Sequence, residues 1–185
     1  VFLMDEPLSN LDAKLRAQTR ADIVDLHREL DTTFVYVTHD QVEAMTMATR
    51  IAIFDQGRLM QVGDPRTVYD APANVFVARF IGSPPMNILA GTIRELDDGL
   101  GVEVGGGRMP LPGVVHDIAD GDPVQVGIRP EDLLIGDVGV AAVVRTAEWL
   151  GHEQILQVEL DGATVAVRDA GDRPLPRVGD TLRVS

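Results

Sequence analysis

A chain of 185 residues has room for one large or two small domains. Its net charge of −13 argues against a nucleic-acid partner, which needs a basic face, and against a polybasic membrane anchor. With no cysteine there is no disulfide and no thiolate metal site, and no apolar run approaches the roughly 20 residues of a membrane span.

The chain opens on Val1-Phe2-Leu3-Met4-Asp5-Glu6-Pro7. The unbroken apolar run predicts a strand buried on both faces, as in a parallel sheet covered by helices. Pro7 cannot continue a central strand, so Asp5 and Glu6 stand at the strand's carboxyl end, where ligands bind in open α/β sheets. Taken alone, the pair reads equally as two solvated acids at a strand end. Asp12 is placed to cap a helix over 13–30, with Leu15, Ile23, Leu26 and Leu30 on one face and charges on the other. Phe34 to Thr38 is β-branched and aromatic and predicts a strand, with His39 at its end. Asp40 then caps a helix to about Ala48, and Glu43 stands three residues on, in capping-box position. Ile51 to Phe54 and Arg58 to Val62 predict a hairpin around Asp55-Gln56-Gly57. Short helices follow from Pro65 and over 74–81. This order indicates an α/β layer.

Gly82-Ser83-Pro84-Pro85 breaks the pattern and reads as a linker, which puts domains at 1–82 and 83–185. Beyond it, short alternating strands are predicted at 89–94, 101–104, 124–128, 140–150, 154–160, 163–168 and 181–184. Their spacing suggests a small β-barrel or sandwich, with a split into two related subdomains possible near Ile135-Gly136-Asp137. Arg129-Pro130-Glu131 reads first as a proline-centred turn that shapes this domain, and second as a ligand contact. Trp149, His152 and Glu153 read first as a core aromatic beside a turn, and second as a sensing pocket. His27, His116 and His152 have no functional setting and read as surface or packing residues.

Three stretches, in order, carry a resemblance: Asp5-Glu6 at a strand end, Ser9-Asn10-Leu11-Asp12 directly after it, and Thr38-His39-Asp40 one helix and one strand later. The set resembles the ATP-binding cassette (ABC) transporter ATPases. Asp5 and Glu6 match the end of the Walker B strand, Ser9 to Asp12 the D-loop, and His39 the switch histidine. Ile81 to Asn87 and Gly127-Ile128-Arg129-Pro130-Glu131 narrow the resemblance to the carbohydrate-uptake importer ATPases, whose β-rich tail is an OB-fold-like regulatory domain of the TOBE or MOP type. The fold class so implied is a partial P-loop α/β cassette followed by an all-β regulatory domain. That group adds one more strand after a segment like 179–184, so an open sheet edge able to template another chain is expected at the end of this sequence.

The resemblance implies roles. Glu6 is the general base, or orients the attacking water, and needs a carboxylate within one hydrogen bond of a water in line with the γ-phosphate. Asp5 holds Mg²⁺ through a water. His39 contacts the γ-phosphate and links it to Glu6. Ser9 and Asp12, in the D-loop, meet the ATP bound across a head-to-tail homodimer, and Asp12 also caps its helix. The implied cofactors are ATP and Mg²⁺. The implied partners are a second ATPase subunit and membrane permease subunits, with a solute-binding protein engaged indirectly and no nucleic acid. The implied place is the cytoplasmic face of the cell membrane.

No G-x-x-x-x-G-K-[ST] loop and no LSGGQ-type signature occurs in the sequence, which reads as the carboxyl-terminal part of a longer ATPase. By itself the segment is expected not to hydrolyse ATP, because that loop's amides and lysine cradle the phosphates. Three other readings compete. One is a regulatory β-module for a small molecule or protein, with a remnant ATPase segment. Another is an importer ATPase for another solute, an oxyanion or a polyamine. The third is a non-transport ABC protein, against which the single cassette with a β-rich tail counts.

Overall fold

The computed structural model describes residues 1–96, 99–111 and 117–185, and it divides into two compact units, Val1–Val77 and Ala78–Ser185. The division falls inside a short helix, a few residues before the proline-rich linker.

The first unit is α/β. Strand β1 (Phe2–Asp5) runs into helix α1 (Ala13–Leu30) and returns as β2 (Phe34–Val37), parallel to β1 with Phe2 opposite Phe34 and Asp5 opposite Val37. Two parallel strands need such a crossover, and a helix supplies it. Asp12 caps α1 by accepting from the Lys14 and Leu15 amides at 3.0 and 2.9 Å. Asp31 stops the helix in the left-handed conformation, where aspartate is better tolerated than most residues. Helix α2 (Gln41–Met47) and the hairpin β3 (Ile51–Asp55) and β4 (Arg58–Gly63) follow, then α3 (Pro65–Asp70) and α4 (Val75–Phe80). Gln56 and Gly57 both have positive φ, as a two-residue I′ turn requires. One expectation fails here. β1 is not buried on both faces: Leu3 is 78% exposed, and among the described residues β1 pairs with β2 alone.

The second unit is all β, a sheet ordered β7-β6-β5-β8 and a sheet ordered β12-β11-β10-β13-β9. The strands are β5 (Asn87–Leu96), β6 (Gly99–Val104), β7 (Gly107–Pro110), β8 (Pro123–Ile128), β9 (Ile135–Gly136), β10 (Val140–Trp149), β11 (Gln154–Leu160), β12 (Ala163–Asp169) and β13 (Thr181–Val184). Along β11 every second residue is buried, the period of a strand with one face in a core. Leu89, Val102 and Val104 of the first sheet join Ala142, Val144, Leu156, Val158, Val165 and Val167 of the second in a single cluster. The two sheets share one core, and Ile135-Gly136 is the first strand of the second sheet.

Side chains reinforce that union. Buried Asn87 donates from Nδ2 to the Ala166 carbonyl at 2.8 Å and accepts the Ala166 amide on Oδ1 at 2.7 Å, joining β5 to β12. Arg129, 5% exposed, donates from one guanidinium nitrogen to the carbonyls of Ala78 and Ile81, the final turn of α4 and the residue after it. A cation suits the carbonyl end of a helix. Gly139 has positive φ and sits so close to the Val184 carbonyl that a Cβ would collide with it. The chain's last strand is not itself an edge, since β13 pairs with β10 on one side and β9 on the other, while β9 and β12 form the edges of that sheet among the described residues. No described helix is long and apolar enough to cross a membrane.

Candidate functional site

Glu6 follows the last residue of β1, and its backbone turns into the left-handed region at φ +43°, uncommon for a residue with a Cβ. Such outliers concentrate at functional sites. Three bonds hold this one. The Glu6 amide donates to the Val37 carbonyl at 2.9 Å, the Ser9 amide donates to the Glu6 carbonyl at 3.2 Å, and the Ser9 hydroxyl donates to the same carbonyl at 2.9 Å. Ser9 thus acts on Glu6 directly. Asp12 is spent on the α1 cap. Asp5 is the exposed last residue of β1, immediately before Glu6.

His39 leaves the end of the neighbouring parallel strand, and the two strand ends bring it to Glu6. Nδ1 of His39 lies 3.0 Å from Oε1 of Glu6, with the side chains 73% and 45% exposed. The Glu6 carboxylate, by hydrogen bond and then by charge, holds the imidazole above its ordinary value of 6.5; desolvation opposes this, and Asp40 and Glu43 add to it. With Nδ1 engaged by Glu6, Nε2 is the ring nitrogen left for a ligand. Two of the residues singled out in the sequence therefore meet, one orders the backbone of that pair, and one orders the helix beside it. Among the described residues no group of three or more His, Cys, Asp or Glu gathers in metal-binding geometry.

Beneath His39 lies a group that sequence spacing misassigned. Asp40 caps α2 as expected, accepting from the Val42 and Glu43 amides at 2.8 and 3.2 Å. Glu43 does not complete a capping box. It is 3% exposed, and its Oε2 accepts from the Tyr36 hydroxyl at 3.0 Å and from the Thr38 hydroxyl at 2.7 Å. The Asp40 amide that a capping box would bind donates instead to the Thr38 hydroxyl oxygen at 2.9 Å. Burial and the Glu43 bond push the Tyr36 phenol above its ordinary range. The sequence carried one signal for this: Tyr36 and Thr38 are two apart on a strand and so share a face. On the other side Arg16 approaches Asp40 at 3.5 Å and donates to the Leu11 carbonyl at 3.0 Å, tying the start of α1 to the turn after His39.

The remaining candidates lie elsewhere. Trp149 is not a core aromatic: it is 63% exposed at the end of β10, which leaves the inner positions of this sheet to Val144 and Leu156. His152 is exposed beside Glu153, whose carboxylate is held low by the Arg168 guanidinium at 2.5 Å. Pro130 opens a short 3₁₀ turn over Pro130–Asp132, and Arg129 before it is buried against backbone carbonyls, which matches the structural reading of that motif. His27 packs edge-on against Phe34, with ring centroids 5.0 Å apart. His116 lies outside the described residues.

Two family models match the β unit: the MalK OB fold domain over residues 82–133 and the TOBE domain over 126–185. The trehalose/maltose import ATP-binding protein MalK of Thermococcus litoralis is 51% identical over 178 residues, covering 89% of this chain and 47% of that protein. The sn-glycerol-3-phosphate import ATP-binding protein UgpC of Bordetella pertussis is 45% identical over 193 residues, covering 100% of this chain and 51% of that protein. An ABC transporter ATP-binding protein of Sinorhizobium fredii, y4oS, is 47% identical over 186 residues, covering 99% and 50%. The chain thus spans about half the length of the curated relatives it matches. The fold class is a partial α/β segment followed by a β domain of the OB and TOBE type. Domain matches and relatives together point to one family.

Proposed function

We propose, on its match to the ATP-binding subunits of carbohydrate-type ABC importers, that this chain is part of the ATP-hydrolysing, energy-coupling subunit of an importer for a sugar or a sugar-like solute. The observation that carries the reading is the Glu6–His39 pair, assembled at 3.0 Å from the ends of two adjacent parallel strands. In the longer protein, Glu6 accepts from the attacking water and orients it, and the charge of the carboxylate is what lets it act as base. His39 stays fixed to Glu6 through Nδ1 and presents Nε2 to the γ-phosphate. Ser9 keeps the Glu6 backbone in its turn. The chain's own residues fit a magnesium site modestly: Asp5 offers an exposed hard carboxylate oxygen beside Glu6, suited to a cation that keeps several waters. Bound there, the ion would supply charge to neutralise the phosphate oxygens.

The relatives are import ATP-binding proteins, which supports coupling to membrane permease subunits; our reading places the chain at the cytoplasmic membrane face, as one of two ATPase subunits. We place the working boundary at 82/83, with the β domain regulatory and not catalytic, and expect residues 1–185 alone to be inactive. His39→Ala in the longer protein tests the reading. Hydrolysis should fall about a hundredfold or more, the lower end of what removing one transition-state hydrogen-bond donor costs, with ATP still bound. Near-normal hydrolysis would remove His39 from the site.

A further inference from the structure

Glu43 is a buried acid whose partners are two hydroxyls rather than a cation. Burying a carboxylate costs free energy unless its neighbours satisfy it, and a neutral residue would fill the same space without that cost. What the acid gains here is geometry at the residues around His39. The Thr38 hydroxyl donates to Glu43 and at the same time accepts from the Asp40 amide, so one oxygen fixes the residue before His39 and the residue after it. His39 itself is too exposed for packing to hold it. Its place against Glu6 depends on the backbone it hangs from, and Glu6 hangs from the same segment through the Val37 carbonyl.

We infer that Glu43, acting through the Thr38 and Tyr36 hydroxyls, is a positioning residue that sets His39 against Glu6. This inference rests on the reading of Glu6 and His39 as the working pair, and it adds a buried residue outside that pair. The charged groups facing His39 are Glu6 from the end of β1, Asp40 at the cap of α2 and Glu43 within α2. A change at Glu43 itself would alter the field as well as the geometry. Thr38 and Tyr36 variants remove no charged side chain and reach His39's field only through the donor that Glu43 loses.

The test is the titration midpoint of His39, followed by NMR on the 185-residue chain and its variants. Glu6→Gln should lower the midpoint. Thr38→Val should lower it in the same direction but less far, because the Glu6 charge stays, and should add little in the Glu6→Gln background. Thr38→Ser keeps the hydroxyl and should restore the wild-type midpoint. Tyr36→Phe, which removes one donor and keeps the ring, should lower the midpoint part of the way. An unchanged midpoint in Thr38→Val or in Tyr36→Phe, with a lowered one in Glu6→Gln, overturns the positioning role and leaves the pair standing. A Thr38→Ser midpoint as low as that of Thr38→Val overturns it too. An unchanged midpoint in Glu6→Gln overturns the pair, and with it the reading on which the inference rests.

Discussion

Helix α1 has 18 residues and buries none of them, whereas strand β11, with 7, buries every second one. The first unit buries a few apolar residues (Leu8, Ile51, Ile53, Val68 and Val77), and the second far more. In Val1–Val77 the turns that matter are fixed by directed bonds: Ser9 on Glu6, Asp12 on α1, Asp40 on α2, and Glu43 on Tyr36 and Thr38. In Ala78–Ser185 the apolar inner faces of two sheets interdigitate, with Val144, Leu156, Val158, Val165 and Val167 fully enclosed. Packing gives stability but places no single oxygen. Hydrogen bonds place oxygens and contribute less to stability. A site that must hold a carboxylate against an imidazole is built in the first way, and a stable module in the second.

Truncation should separate the units most sharply. Leu156→Ala opens a cavity in the shared β core and should cost about 2–5 kcal/mol in urea unfolding, whereas Leu26→Ala, at a 41% exposed position of α1, should cost well under that. Equal losses would break the contrast. Asn87→Ala comes next. It leaves the Ala166 amide and carbonyl without their partner in a buried place, and should cost about 1–3 kcal/mol by the same measurement.

The smallest effect is expected in the first unit and depends on pH. Asp64 caps α3 by accepting from the Thr67 hydroxyl and amide, and these bonds hold its carboxyl below the ordinary value of 3.8. A depressed folded value means the contribution is complete above 3.8 and is lost as pH falls through the lower folded value. Asp64→Asn should therefore destabilise at neutral pH, and the difference from wild type should shrink on acidification below 3.8. A constant difference across that range would show that the charge is not what stabilises the cap. His39 has the opposite sign: its raised value favours the pair at low pH, and the contribution is lost as pH rises through the folded value.

How much of this was legible in the sequence follows from the range of each interaction. α1 appears over 13–30 with Asp12 as its cap because periodicity and cap are local signals. The hairpin around Gln56-Gly57 is legible for the same reason. β9 is illegible in the sequence because two residues carry no periodicity, and its pairing with β13 comes from far along the chain. β7 was missed because it emerges directly from Gly105-Gly106-Gly107, a composition that reads as loop. Glu43 has the spacing of a capping box, and the strand hydroxyls outbid that local partner. Trp149 was assigned inward by its size, yet the position it occupies faces out. At the site, Glu6 and His39 were legible from motif order, while the left-handed turn at Glu6 and the role of Ser9 in holding it required coordinates.

The central claim is that the chemistry belongs to the hydrogen-bonded unit and not to the packed one. ATP turnover and ATP binding of the longer protein, measured side by side for Glu6→Gln and Trp149→Ala, test it most directly. The amide keeps the shape of Glu6 and cannot take a proton, so Glu6→Gln should bind ATP normally and lose about 10²–10⁴-fold in turnover. Trp149→Ala, at an exposed position of the β unit, should turn over at the wild-type rate. Near-normal turnover by Glu6→Gln, or a comparable loss in Trp149→Ala, would contradict the account.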